Sequence, residues 1–246
     1  MDLPRPFVIR ESTHRVHNPI DEVKLATLGR ALAPAPGTRA LDLACGSGEL
    51  LCTWARDHGT VGTGVDISTA FLARARSRAV ELGVSVEFVH GDASEYVAEE
   101  PVGLACCVGA TWIGGGLAGT VDLLRRSLVD GGTMLIGEPY WRRNPPDQAT
   151  VDGCHVRHRD DYRPLPQLLE HFGELGCDVV EMMLADQDSW DRYAAAQWLN
   201  VRRWLDANPD DELAGQMREE LHTEPARYAR YTREYLGWGV FALMNR

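Results

Sequence analysis

The stretch RALDLACGSGEL, residues 39–50, runs from an apolar segment through the carboxylate of Asp42 into Gly46 and Gly48. Such a run reads as a strand, a tight turn and a helix, with glycines where a ligand must come close to the backbone. Two further apolar runs end in carboxylates. Asp66 closes GVDIS, 18 residues after Gly48, and Asp92 precedes Ala93 in HGDA. A carboxylate at the first of these places can accept both hydroxyls of a ribose. Asp92 and the backbone amide of Ala93 can read the edge of an adenine. The residue types therefore point to a ligand with a nucleoside part, held where successive strands end.

Which nucleoside is decided more by charge than by letters. A dinucleotide turn needs G-x-G-x-x-G. Counted from Gly46 the third position is Leu51, and counted from Ala44 the pattern fails at Ala44 and at Glu49. A dinucleotide also lays an anionic pyrophosphate on the helix N-terminus, where Asp42 and Glu49 would repel it. S-adenosylmethionine carries no phosphate, and its sulfonium and ammonium groups suit carboxylates. Methyl transfer is therefore favoured over hydride transfer.

These residues need a scaffold, and the surrounding pattern supplies one. The strands read as RALDLA, TVGTGVDI, VSVEFVHGD, VGLACCVGA, TMLIGEP, CDVVEMMLA and YLGWGVFALM. Between them lie helical stretches after Gly48, over TAFLARARSRAVELG with Ser68 and Gly83 as caps, over TVDLLRRSLVDGG and over LPQLLEHFGELG. An earlier helix runs from Pro19 through IDEVKLATLGRALA, with Ile20, Val23, Leu28 and Leu32 near helical spacing. The alternation predicts an α/β fold, a doubly wound, seven-stranded, mostly parallel sheet. One domain is expected over 1–246. Residues 1–34 form a cap segment and helix, the first 19 polar and irregular. Residues 35–185 form the core, 186–235 a helical lid insertion and 236–246 the final strand.

LDLACGSG, GVDIS and GDA, in this order and spacing, resemble the class I S-adenosylmethionine-dependent methyltransferases, whose fold is Rossmann-like. ATWIGGG, GEPYW and GWGVFAL resemble a bacterial branch of small-molecule methyltransferases. The resemblance implies that Asp42, Gly46 and Gly48 line the methionyl end of the cofactor, Asp66 the ribose, and Asp92 with Ala93 the adenine. Ala44, Ile67 and Gly109 join the same cofactor set, Ala44 standing where glycine is usual.

Ligands of open α/β sheets bind beyond the carboxyl ends of the strands. That rule brings Thr111, Trp112, Tyr140 and Trp141 to the acceptor side, with Tyr231 and Tyr235 ahead of the last strand; core packing is the plain alternative for Trp112, Trp141, Tyr231 and Tyr235. The faces of Trp112, Tyr140 and Trp141 suit a sulfonium. Glu138, His14 and His17 are the candidates for a base. His14 and His17 share a face if their segment is helical; two solvated histidines in a frayed terminus are the plain alternative.

With 36 acidic and 25 basic residues the net charge is -11, which repels phosphate backbones and argues against nucleic acid. The apolar runs are too short for a bilayer, the N-terminus is unlike a signal peptide, and six scattered cysteines suggest a reduced, cytoplasmic protein. No metal is expected, since Cys154, His155 and His158 are too few at that spacing. NPPD, 144–147, reads as a proline turn and not as an adenine-N6 methyltransferase motif. The expectation is a monomer or homodimer that methylates a small-molecule acceptor. The alternative is a sensor or partner subunit that binds S-adenosylmethionine without chemistry.

Overall fold

The computed structural model describes residues 2–246. Seven strands form one sheet: β1 (Arg39–Leu43), β2 (Val61–Asp66), β3 (Val86–His90), β4 (Val102–Val108), β5 (Leu128–Trp141), β6 (Cys177–Leu184) and β7 (Leu236–Asn245). Their order is β3-β2-β1-β4-β5-β7-β6. β7 is antiparallel to both neighbours, and the other pairs are parallel. β4 is apolar throughout because a central parallel strand is covered on both faces.

The helices are α1 (Arg5–Arg10), α2 (Glu22–Leu32), α3 (Glu49–His58), α4 (Thr69–Leu82), α5 (Leu117–Arg125), α6 (Gln148–Gly153), α7 (Leu165–Glu174), α8 (Gln187–Ala207), α9 (Ala214–Arg230) and α10 (Thr232–Tyr235). Strand side chains alternate between faces, and two cores follow. Leu41, Leu43, Cys107, Ile136 and Phe241 pack with Val121 and Leu124 of α5 and Leu168 and Phe172 of α7. Ala40, Cys106, Leu135 and Val240 pack with Leu25 and Leu28 of α2 and Leu51 and Trp54 of α3. The same alternation sends Asp42 to the α2/α3 face and Glu138, two residues after Ile136, to the α5/α7 face.

The caps of α4 form as its sequence predicts. Ser68 Oγ accepts the Phe71 N–H at 3.3 Å, and Gly83 ends the helix at φ 65°. α2 starts later than Pro19, because the Asp21 carboxylate accepts the Lys24 N–H at 2.7 Å and fixes the first turn there. Leu25 and Leu28 make the buried face, and Val23, on the opposite side of the helix, is exposed. The first 19 residues are not wholly irregular. Pro4 and Pro6 open α1, and its Ile9 is buried among Val201, Leu205 and Met217 of α8 and α9. A helix of six residues is unstable alone, so this tertiary contact makes it. Between β6 and β7 the chain inserts α8, α9 and α10, with α8 running along α1. Among the described residues no helix is long and apolar enough to cross a membrane.

Gly48, which the motif assigns to the cofactor, meets the core. It caps α3 at φ 70°, and a Cβ there would lie 2.7 Å from the Phe88 ring and 2.9 Å from Ala75 Cβ. Gly48→Val should therefore cost about 2 kcal/mol or more through backbone strain and overpacking. Thermal unfolding would show it as a lowered Tm; a Tm equal to the parent's would contradict the packing role.

Candidate active site

After β1 the backbone turns through Ala44 at φ 61°, Gly46 at φ 55° and Gly48 at φ 70° into α3. One side chain holds this turn. Asp66, ending β2, accepts the Gly46 N–H on Oδ2 at 2.8 Å and the Ser68 N–H on Oδ1 at 2.7 Å. Burial raises its pKa, and the two N–H groups pull the other way. Each carboxylate oxygen has a second lone pair available to a hydroxyl.

A cavity of about 700 Å³ opens beside the turn, at the ends of β2, β3 and β4. Gly46, Asp66, Ile67, Asp92, Ala93 and Gly109 border it, and α1 covers it through Pro6 and Phe7. Asp92 caps the short turn at Ala93 by accepting the Ser94 N–H at 2.9 Å. Past the turn, on the α2/α3 face, lies a smaller pocket of about 60 Å³ lined by Asp42, Leu25 and Val240. The two share His17, Ala44, Gly46 and Val108. The expected cofactor residues other than Gly48 thus all border one or the other space.

Asp42 Oδ1 is buried without a partner. Burial first, and the Asp66 charge second, push this carboxyl up to about 8. It is therefore largely neutral at pH 7, and a cation beside it would draw the proton off.

His14 and His17 lie in turns rather than on a helix, yet they converge on Glu11. His17 Nδ1 lies 3.1 Å from Glu11 Oε2, and its Nε2 lies 2.8 Å from Ser47 Oγ. His14 Nδ1 sits 3.0 Å from the same Glu11 oxygen but off the line of a hydrogen bond, and its Nε2 has no partner. Glu11 also accepts the Tyr193 hydroxyl at 2.9 Å and the Gln197 amide at 2.6 Å. Burial opposes the Glu11 charge, but the two histidines outweigh it and hold the carboxyl at about 2. Glu11 stands three residues before His14 in the chain, and that spacing alone gives it no role. Its other partners stand on α8, far along the chain, so no local spacing reveals them.

Of the three base candidates, His17 borders both spaces. His14 faces a separate surface cavity with Arg74 and Arg78. Glu138 borders neither space. Its Oε2 accepts the Thr111 hydroxyl at 2.8 Å. Burial pushes it up to about 7, against the Thr111 bond and the Arg163 charge.

The acceptor candidates divide. Trp112 lines the large cavity and is 72% exposed, with Thr111 tied to Glu138 beside it. Tyr140 is instead packed in the core over Gly237. Trp141 donates from Nε1 to the Arg159 carbonyl at 2.8 Å and packs with Val151 and Leu236. Tyr231 covers Gly153, and Tyr235 closes the same cluster. Trp141, Tyr231 and Tyr235 hold α6 and α10 to the ends of β5 and β7, and none of the four rings borders the large cavity. Asp147 of NPPD caps α6 by accepting the Thr150 N–H at 2.8 Å. His155 meets Glu224 at 3.3 Å.

Residues 40–132 match the family described as a methyltransferase domain. A SAM-dependent methyltransferase from Geobacter sulfurreducens, solved in complex with S-adenosyl-L-homocysteine, is 64% identical, with a TM-score of 0.98 over 100% of this chain and 99% of that one. Another from Thiobacillus denitrificans, in complex with the same compound, is 60% identical, with a TM-score of 0.98 and full coverage of both chains. The uncharacterised protein YjhP of Escherichia coli (strain K12) is 59% identical over 248 residues, 100% of each chain.

The buried carboxyls make stability depend on pH. Asp42 and Glu138 have ordinary values of 3.8 and 4.5 and are raised in the fold. A raised carboxyl binds its proton more tightly folded than unfolded, so its contribution is full below the ordinary value and is lost as pH rises through the folded one. Glu11, lowered from 4.5, has the opposite sign and loses its contribution as pH falls toward about 2. Denaturant unfolding from about pH 5 to pH 8 should therefore cost the parent more stability than Asp42→Asn or Glu138→Gln. Equal losses in all three would contradict the burial argument.

Proposed function

Because the chain belongs to the S-adenosylmethionine-dependent methyltransferases, we propose that it transfers a methyl group from S-adenosylmethionine to a small-molecule acceptor by in-line displacement. One observation carries the reading of the cofactor site. The cavity that holds Asp66 and Asp92 leads past His17 to the unpartnered carboxyl of Asp42. That series of donors and acceptors fits a ligand with ribose hydroxyls at one point and an ammonium at another. When bound, S-adenosylmethionine would supply an electrophilic methyl on a cationic sulfonium.

In this reading Asp66 accepts the ribose hydroxyls on its remaining lone pairs while it holds the Gly46 turn. Asp92 and Ala93 flank the adenine. Asp42 gives up its proton and becomes the counter-ion of the ammonium, so that the cost of ionising it is offset by a cation at hand. Trp112 and α1 limit the water that reaches the methyl. Glu138, near neutrality in pKa, is matched to holding or taking a proton at pH 7, and reaches the acceptor side through Thr111. The insertion 186–235 serves as the lid. The cover over the cavity supports a small acceptor over a polymer, as does the net charge of -11.

Calorimetry with S-adenosyl-L-homocysteine tests the site. Asp66→Ala removes charge-assisted hydrogen bonds worth about 1.5–3 kcal/mol each, so affinity should fall about 10-fold or more. An affinity equal to the parent's would contradict the ribose assignment. Labelled S-adenosylmethionine incubated with a metabolite extract should label a small molecule; label confined to macromolecules would contradict that acceptor class.

A further inference from the structure

A continuous polar chain joins the insertion to the glycine turn. On α8, Tyr193 and Gln197 donate to Glu11 Oε1. Glu11 Oε2 meets His17 Nδ1, and His17 Nε2 meets Ser47 Oγ within the turn. Glu11 is fully buried. The His17 ring stacks on Phe71 with centroids 4.1 Å apart. A Cβ on Gly46 would come within 2.6 Å of His17 Cδ2, so this glycine also makes room for the histidine.

The segment that carries Glu11 covers the cavity, and it is fastened to the insertion along its length. Arg5 pairs with Asp211 at 2.8 Å and Arg10 with Glu220 at 3.0 Å. Asn200 donates to the Arg10 carbonyl at 2.7 Å, and Ile9 is buried between α8 and α9. Toward the core the segment is held by His17, by the Phe7 contact with Phe71 and by Arg74 donating to the Glu11 carbonyl.

We propose that Glu11 is a positioning residue acting through His17, and that the clasp it forms sets how long the bound nucleoside ligand stays in the cavity. The inference rests on the methyl-transfer reading. A carboxylate is needed because the single oxygen of an amide has too few lone pairs for the three groups bonded to Glu11: Tyr193, Gln197 and His17. A glutamine would turn an amide donor toward donors. The groups facing Glu11 are Tyr193 and Gln197 from α8, Arg74 from α4, and Arg10, His14 and His17 from its own segment; Asp66 adds its charge near His17.

The test follows release of S-adenosyl-L-homocysteine from the full chain by stopped flow. Glu11→Gln should release the compound about 10- to 100-fold faster than the parent, the loss expected for a charge-assisted network. Hydrogen exchange of residues 5–18 in the protein without ligand should quicken in the same variant. If Glu11→Gln does not fold, Tyr193→Phe combined with Gln197→Leu cuts only the α8 half and should still hasten release. Release at the parent's rate in the variant that folds, or unchanged exchange of residues 5–18 in Glu11→Gln, overturns the clasp. A parent that does not bind S-adenosyl-L-homocysteine overturns the methyl-transfer reading and the clasp with it; a parent that binds beside variants that release it normally strikes the clasp alone.

Discussion

The carboxylate of Asp66 is the constraint on which the site depends. Its two oxygens take the N–H of Gly46 and the N–H of Ser68, so the turn after β1 and the start of α4 hang on one side chain. A buried backbone N–H without a partner costs about 1–3 kcal/mol. The left-handed turn at Ala44 and Gly46 is held besides by the Cys45 N–H on the Val65 carbonyl and the Gly48 N–H on the Cys45 carbonyl, each at 3.0 Å. The same charge helps keep Asp42 protonated. Folding thus leaves two neighbouring carboxyls, one bonded to two backbone N–H groups, the other raised by burial and without a partner. A ligand with hydroxyls and a cation relieves both conditions at once.

The alternation of the strands then divides the chemistry. Asp42 and the pocket it shares with His17 lie on the face covered by α2 and α3. Glu138 lies on the face covered by α5 and α7, held by Thr111. The two groups are thus on opposite faces of the sheet, and the large cavity at its carboxyl edge is lined by Trp112 and by Pro6 and Phe7 of α1.

The core was legible because its signals are local. The order of carboxylates and glycines gave the turn, the apolar β4 gave the central strand, and Ser68 with Gly83 bounded α4. What escaped depends on distant contacts. α1 is too short to show a helical period and forms through Ile9 against α8 and α9. Val23 is three residues from Ile20, but Ile20 precedes the helix, and within α2 Val23 lies on the face opposite Leu25 and Leu28. Tyr140, Trp141, Tyr231 and Tyr235 have the same residue types as a ligand cage, and only burial shows that they pack on Gly237, Gly153 and Val151. Gly48 belongs to the motif by spacing, while the nearest claim on its bare Cα is the ring of Phe88.

A crystal structure of the chain with S-adenosyl-L-homocysteine bound is the most direct measurement. The account predicts the ribose hydroxyls on Asp66, the adenine between Asp92 and Trp112 beneath α1, and the ammonium within hydrogen-bond distance of Asp42. A ligand whose amino-acid end turns away from Asp42, or whose ribose leaves Asp66 untouched, would contradict it.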